Sequence, residues 1–231
     1  GARIRKKTIS AGVMPNDTYF QLQYMLAQFY LADEQYQPAI DTIEKWRTDG
    51  KKETAESYAL EGNAYYRLEK YPQAIAAVKK AQSLTDKPND SWNQILMASY
   101  AESGQGDQAA QLAQQQLAAN PNDSAALNNA VAVLMQSQKY PEAIQLMEKS
   151  KAAGAFKSEK DYVNLAKLYL VTGQDSSDPK PNAAKAVAAL NEGMSKGVVT
   201  DSYDNLKLLG DASYVADKPA DAISAYKKAM G

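Results

Sequence analysis

From Tyr58 to Gln82 the apolar and small residues fall into two short stripes. Tyr58, Glu61, Gly62 and Tyr65 lie three or four residues apart and share one face of a helix, while Ala74, Val78 and Ala81 do the same on a second. Lys70, Tyr71 and Pro72 interrupt the run, and Pro72 suits the first turn of the second helix. Glycine inside a helix costs about 1 kcal/mol relative to alanine. Gly62 therefore implies a close approach to the second helix, where Ala74 supplies a matching small side chain.

The same pattern recurs along the chain and lays out six helix pairs. The first has Leu26, Ala27 and Tyr30 followed by Tyr36, Ala39, Ile43 and Trp46; the stretch above is the second. The third has Leu96, Met97 and Tyr100 followed by Ala109 and Ala113, and the fourth has Ala130, Val131 and Leu134 followed by Tyr140, Ala143 and Met147. The fifth opens with Tyr162, Leu165, Ala166 and Tyr169, and the sixth has Leu209 and Gly210 followed by Ala222, Tyr226 and Ala229. Steps from Ala39 to Ala74 to Ala109 to Ala143 are 35, 35 and 34 residues. Pairs are expected over 20–53, 55–88, 90–123, 124–157, 159–201 and 203–231, after an extension or partial helix over 1–17. The fifth carries about eight extra residues, rich in Asp, Ser and Pro, read as an exposed loop over 174–182. Three Pro-Asn-Asp-Ser/Thr strings, at Pro15, Pro88 and Pro121, are expected to start helices by capping. They also match the glycosylation pattern at Asn16, Asn89 and Asn122.

This spacing resembles the tetratricopeptide repeat, or TPR, over roughly residues 18 to 230. Met97 and Val131 depart from it, standing where Gly or Ala is usual. The resemblance implies an all-α fold, a right-handed TPR superhelix (α-solenoid) of about six helix pairs, with a concave side lined by first helices. In TPR proteins that bind peptides, groove positions are the second, fifth, ninth, twelfth and thirteenth of each unit. With Gly62 as the eighth, the count gives Ala59, Asn63, Tyr66 and Arg67, and elsewhere Tyr24, Gln28, Gln94, Asn128, Lys167, Lys207, Asp211 and Tyr214. Asn and Gln both donate and accept, so they can satisfy a peptide group in either direction, and Tyr adds contact area at modest entropic cost. A merely solvated inner face would carry the same residues. The chaperone-tail clamp of some TPR proteins wants Lys and Asn where this chain has Tyr24 and Gln28, so that version is not expected.

Composition narrows the chemistry. The chain has no Cys and no His, which removes thiol nucleophiles, disulfides and the commonest zinc ligands. Its net charge of −1 gives no global field for nucleic acid or an anionic membrane. There is no phosphate-binding loop, no GxGxxG and no recognisable pairing of carboxylates, so the reading is not an enzyme and needs no cofactor or metal. Asp175 and Asp178 lack the terminal acidic ligand of a calcium loop. No apolar run approaches the roughly 20 residues that span a bilayer. Arg3, Arg5, Lys6 and Lys7 with Ile4 and Ile9 make a weakly amphipathic opening, read as a frayed terminus or a basic anchor.

A narrower likeness rests on Leu190 to Ile223. A second helix ending in Gly193-x-x-x-Gly197, a Val-Val-Thr-Asp linker and Asn205-Leu-Lys-Leu-Leu-Gly210 resemble bacterial TPR proteins encoded beside the TonB, ExbB and ExbD machinery. The segment ending Gly173-Gln174 and that around Tyr30 are similar too. This resemblance implies a periplasmic adaptor supporting TonB-dependent outer-membrane transport, with a TonB-system protein as partner. Two alternatives stay open: a scaffold for envelope assembly or secretion of the TPR lipoprotein kind, and a recognition domain cut from a larger enzyme.

Overall fold

The computed structural model describes residues 16–231, so the basic opening stretch lies outside the described residues. Among those described there are twelve α-helices and no strand. In chain order they are α1 (Asn16–Ala32), α2 (Tyr36–Gly50), α3 (Ala55–Arg67), α4 (Tyr71–Ser83), α5 (Asp90–Glu102), α6 (Gly106–Ala119), α7 (Ser124–Gln136), α8 (Tyr140–Ala152), α9 (Glu159–Gln174), α10 (Lys180–Ser195), α11 (Tyr203–Val215) and α12 (Pro219–Ala229). Their number and order are those of about six helix pairs. Two compact units divide at Leu112 and Ala113, within α6.

In the first unit α1 packs on α2, α3 on α4, and each pair on the next, with the first helices α1, α3 and α5 also meeting side by side. Ala27, Ala39, Ala64 and Ala74 are fully buried, as the small-residue stripes require. A methyl group added to Gly62 would come within 2.6 Å of Val78 Cγ2 and 3.4 Å of the Ala74 carbonyl oxygen. Gly62 is thus where α3 and α4 come closest. Between these pairs sits a buried polar contact. Arg47 of α2 donates to Glu61 and Ser57 of α3, and its guanidinium lies 4.0 Å from the centre of the Tyr58 ring. Burial and the neighbouring Glu44 push the Glu61 carboxyl up to about 7, against the pull of Arg47.

In the second unit α7 packs on α8, α9 on α10 and α11 on α12, and α8 meets α9 as α10 meets α11. Leu134, Ala143, Leu165, Ala166, Ala186 and Leu190 are fully buried. Met97 in the first unit and Val131 here fill the position usually given to Gly or Ala and are 3% and 6% exposed, each in register with an alanine that is fully buried, Ala109 and Ala143. Gly210 fits against the ring of Tyr226, 2.5 Å from where its Cβ would be. The Tyr226 hydroxyl donates to Asp211, which raises its pKa to about 12.

Helix ends show why the period is 34 to 35. Glu34, Glu69, Gly104, Gln138 and Asp217 all have positive φ, and the amide of the next residue reaches back five positions, as from Lys70 to the Tyr65 carbonyl at 2.9 Å. Each first helix but one therefore ends in a left-handed turn closed by a six-to-one hydrogen bond. Two cap strings use different residues. Asn89 accepts from the Ser91 amide at 2.9 Å to start α5, whereas Asp123 accepts from Ala125 at 2.8 Å to start α7.

The exception is the α9–α10 pair, and it corrects the expected loop. Residues 174 and 180–182 are helical, leaving a connection of 175–179 only. Both helices are three residues longer than α3 and α4, 16 against 13, so most of the excess is extra helical turn. Asp178 accepts from the Lys180 amide and Pro181 lies in the first turn, so residues that look like a loop start a helix. Leu26 is a second correction. It was expected to pack within the first pair, yet it is 45% exposed, because no second helix precedes α1 among the described residues.

Candidate functional site

The row of first helices in the first unit brings six of the expected groove residues together. Tyr24 and Gln28 stand on α1, Asn63, Tyr66 and Arg67 on α3, and Gln94 on α5. Tyr24 is half-buried with its ring edge-on to Trp46 at 5.0 Å, and burial, reinforced by the charge of Glu56, raises its pKa. Tyr66 lies 6.0 Å from Tyr71, and the exposed Arg67 guanidinium sits 5.8 Å from the Tyr36 ring. Gln28, Asn63 and Gln94 have no hydrogen-bond partner among the described residues. Their amide groups are available to a ligand. Ala59, also in the count, is buried and contributes no polar group.

A pocket of about 570 Å³ opens at the N-terminal ends of α1 and α3. Phe20, Tyr24 and Trp46 form its aromatic wall, with Gln21, Lys52, Thr54 and Glu56 around them. The Trp46 indole N–H donates to the Phe20 carbonyl at 3.0 Å, which ties the ring to α1. Sequence reasoning missed this pocket. Gln21 and Glu56 occupy the second position of their units and were reachable by the same count that gave Tyr24. Trp46 carried no such signal, since it comes from a second helix and its direction is set by packing across the pair.

In the second unit the expected residues are more scattered. Asn128 on α7 is half-buried and Lys167 on α9 is exposed. Lys207 and Tyr214 lie on α11, where Lys207 pairs with Asp211 at 2.7 Å and Tyr214 is 73% exposed. The side-by-side packing that joins α1, α3 and α5 has no counterpart of the same extent among α7, α9 and α11. Among the described residues no group of three or more acidic side chains gathers to hold a metal, and no helix is long and apolar enough to cross a membrane.

This is an all-helical repeat protein whose first five pairs follow one another at 34 to 35 residues, from Ala27 through Gly62, Met97 and Val131 to Ala166, with the sixth 44 residues on at Gly210. Comparison with known proteins gives the type of repeat. Residues 100–159 match the family described as tetratricopeptide repeat, and residues 13–81 match that of anaphase-promoting complex, cyclosome, subunit 3. Among solved structures, the C-terminal part of a TPR repeat-containing protein from Cytophaga hutchinsonii is similar, with a TM-score of 0.64 at 18% identity over 90% of this chain and 78% of that one. A tetratricopeptide repeat protein from Parabacteroides merdae gives 0.53 at 14% identity over 98% and 82%, and a double mutant of MamA RS-1 gives 0.53 at 19% over 76% and 97%. No curated protein matches. The chain is a tetratricopeptide-repeat protein in fold.

Proposed function

We propose that the chain is a non-enzymatic scaffold for protein–protein interaction, and that its first unit holds an extended segment of a protein partner along α1, α3 and α5. One observation carries this reading: the unengaged amides of Gln28, Asn63 and Gln94 lie on the same row of helices as the aromatic pocket around Tyr24 and Trp46. Amides pair with backbone and the pocket takes a side chain, the two elements of peptide capture. Recovery of partners on the immobilised chain from a periplasmic extract tests it. Tyr66→Ala combined with Arg67→Glu is expected to lose the partner while circular dichroism stays unchanged; equal recovery on both proteins would refute the groove reading.

The finer proposal is that the partner belongs to TonB-dependent outer-membrane transport and that the chain works in the periplasm. Its support is the likeness of Leu190 to Ile223 to TPR proteins encoded beside TonB, ExbB and ExbD. Envelope assembly or secretion, or recognition for a severed enzyme, are the competing settings. Deleting the gene is expected to reduce TonB-dependent uptake, and unaltered uptake would favour the others.

A further inference from the structure

Both ends of the described chain expose faces that are interfaces elsewhere in it. On α1, Leu22, Met25, Leu26 and Phe29 follow one another at i, i+3, i+4 and i+7 and are 50%, 45%, 45% and 61% exposed. Thirty-five residues on, the same positions of α3 hold Ser57, Leu60, Glu61 and Ala64, none more than 8% exposed. There α2 lies alongside, and its Arg47 reaches Ser57 and Glu61.

The last helix has the opposite deficit. With Ala222 in register with Ala39, Ile223 takes the place of Ile40 and Met230 the place of Arg47. Ile40 is 1% exposed and the Arg47 side chain 11%, whereas Ile223 and Met230 are 54% and 79% exposed. At the internal junction a cation on the second helix, Arg47, meets an anion on the next first helix, Glu61. At the two ends both members are apolar together, Met230 in place of the cation and Leu26 in place of the anion. Solvated ends gain nothing from that joint change, while faces that meet each other do. The flanking charges are complementary as well. No Lys or Arg lies on α1, which has Asp17 in its first turn with Asp33 and Glu34 just beyond its end, and α12, with Asp221 in its first turn, carries Lys227 and Lys228 in its last turn beside Met230.

We propose that these faces cover one another between two copies of the chain, α12 of one copy packing on α1 of the next as α2 packs on α3. The junction is heterologous, with different surfaces on its two sides. It uses none of Tyr24, Gln28, Asn63, Tyr66, Arg67 and Gln94, and shares only Met25 and the flanking Asp17 with the lining of the aromatic pocket. Sedimentation velocity on the whole chain over a concentration series tests it. The weight-average mass is expected to rise to at least twice that of the monomer, and Leu26→Glu or Met230→Arg alone is expected to return it to the monomer with unchanged circular dichroism. Mixing the two variants is expected to restore association, because each supplies the face the other lacks and the altered pair reproduces the Arg47–Glu61 contact. A monomer at every concentration, disruption by only one of the substitutions, or a mixture that stays monomeric would each overturn the proposal.

Discussion

In the second helix pair the seventh position of the first helix is Glu61; in the fifth it is Leu165. Both are buried, at 6% and 0% exposure, against the second helix of the preceding pair. Glu61 is held there by Arg47 of α2, whereas the residue of α8 in register with Arg47 is Lys151, which turns aside to pair with Glu192 at 2.8 Å. A second contact is the same in both. Tyr65 donates to Glu44 at 3.5 Å and Tyr169 donates to Glu148, and burial together with that hydrogen bond raises the Tyr169 pKa. The small position also differs, Gly62 against Ala166, and so does the turn. What the two pairs have in common is a small residue at closest approach and a first helix covered by its predecessor. The ion pair is a local variation on that frame.

The largest effect should come from splitting the ion pair. Arg47→Met leaves Glu61 buried beside Glu44 and is expected to cost about 3–5 kcal/mol near pH 8, measured by urea denaturation. Arg47→Met with Glu61→Leu puts at position 61 the leucine that the fifth pair has at Leu165, removes the cation that would otherwise be left buried, and is expected to be neutral or to gain about 1–4 kcal/mol. If the double variant is as unstable as the single, the equivalence of Glu61 and Leu165 fails. The sign of the pH dependence follows from the raised pKa of Glu61. Its contribution is fully present below the unfolded value near 4.5 and is lost as pH rises through about 7, because only the folded chain keeps the proton in that window. Glu61→Gln should remove that part of the slope in melting temperature.

A smaller effect is expected at the closest approach. Gly62→Ala gains about 1 kcal/mol of helix propensity but drives a methyl into Val78, a stiff β-branched side chain, at an overpacking cost of about 1–3 kcal/mol. The net is a loss, seen as a lower melting temperature. Adding Val78→Ala should make the double variant less unstable than the two losses summed. Simple addition would mean that α4 yields at this point and that glycine there is not set by Val78.

The frame was legible because it repeats. Ala39, Ala74, Ala109 and Ala143, picked by spacing alone, are all fully buried. Periodicity assigns faces, however, and not partners across helices. Glu61 was placed on the correct stripe, but nothing in its own helix points to Arg47, fourteen residues earlier. The left-handed turns were hidden for a different reason. At Glu34, Glu69, Gln138 and Asp217 an ordinary side chain takes a conformation that usually announces itself as glycine, and only Gly104 does so. Counting from Gly62 gave Tyr24, Asn63, Tyr66 and Arg67, which share one row of helices, while the wall made by Phe20 and Trp46 depends on packing that no count supplies.

The turn itself should matter least. Residues 172–182 replace the three-residue link Leu68, Glu69 and Lys70, and the added helical turns bring Gly173 against Asn182, 3.1 Å from where a Cβ would sit. Exchanging 172–182 for Leu-Glu-Lys removes that contact and the exposed Lys180–Asp217 pair, which surface ion pairs make a small loss, and shortens the connection, which loop-closure entropy makes a small gain. The two nearly cancel, so stability is expected to change by less than about 1 kcal/mol, with a melting curve of unchanged cooperativity. A variant that unfolds, or melts in two steps, would show that the extra turns hold α9 to α10, and that the fifth pair does not share the frame of the second.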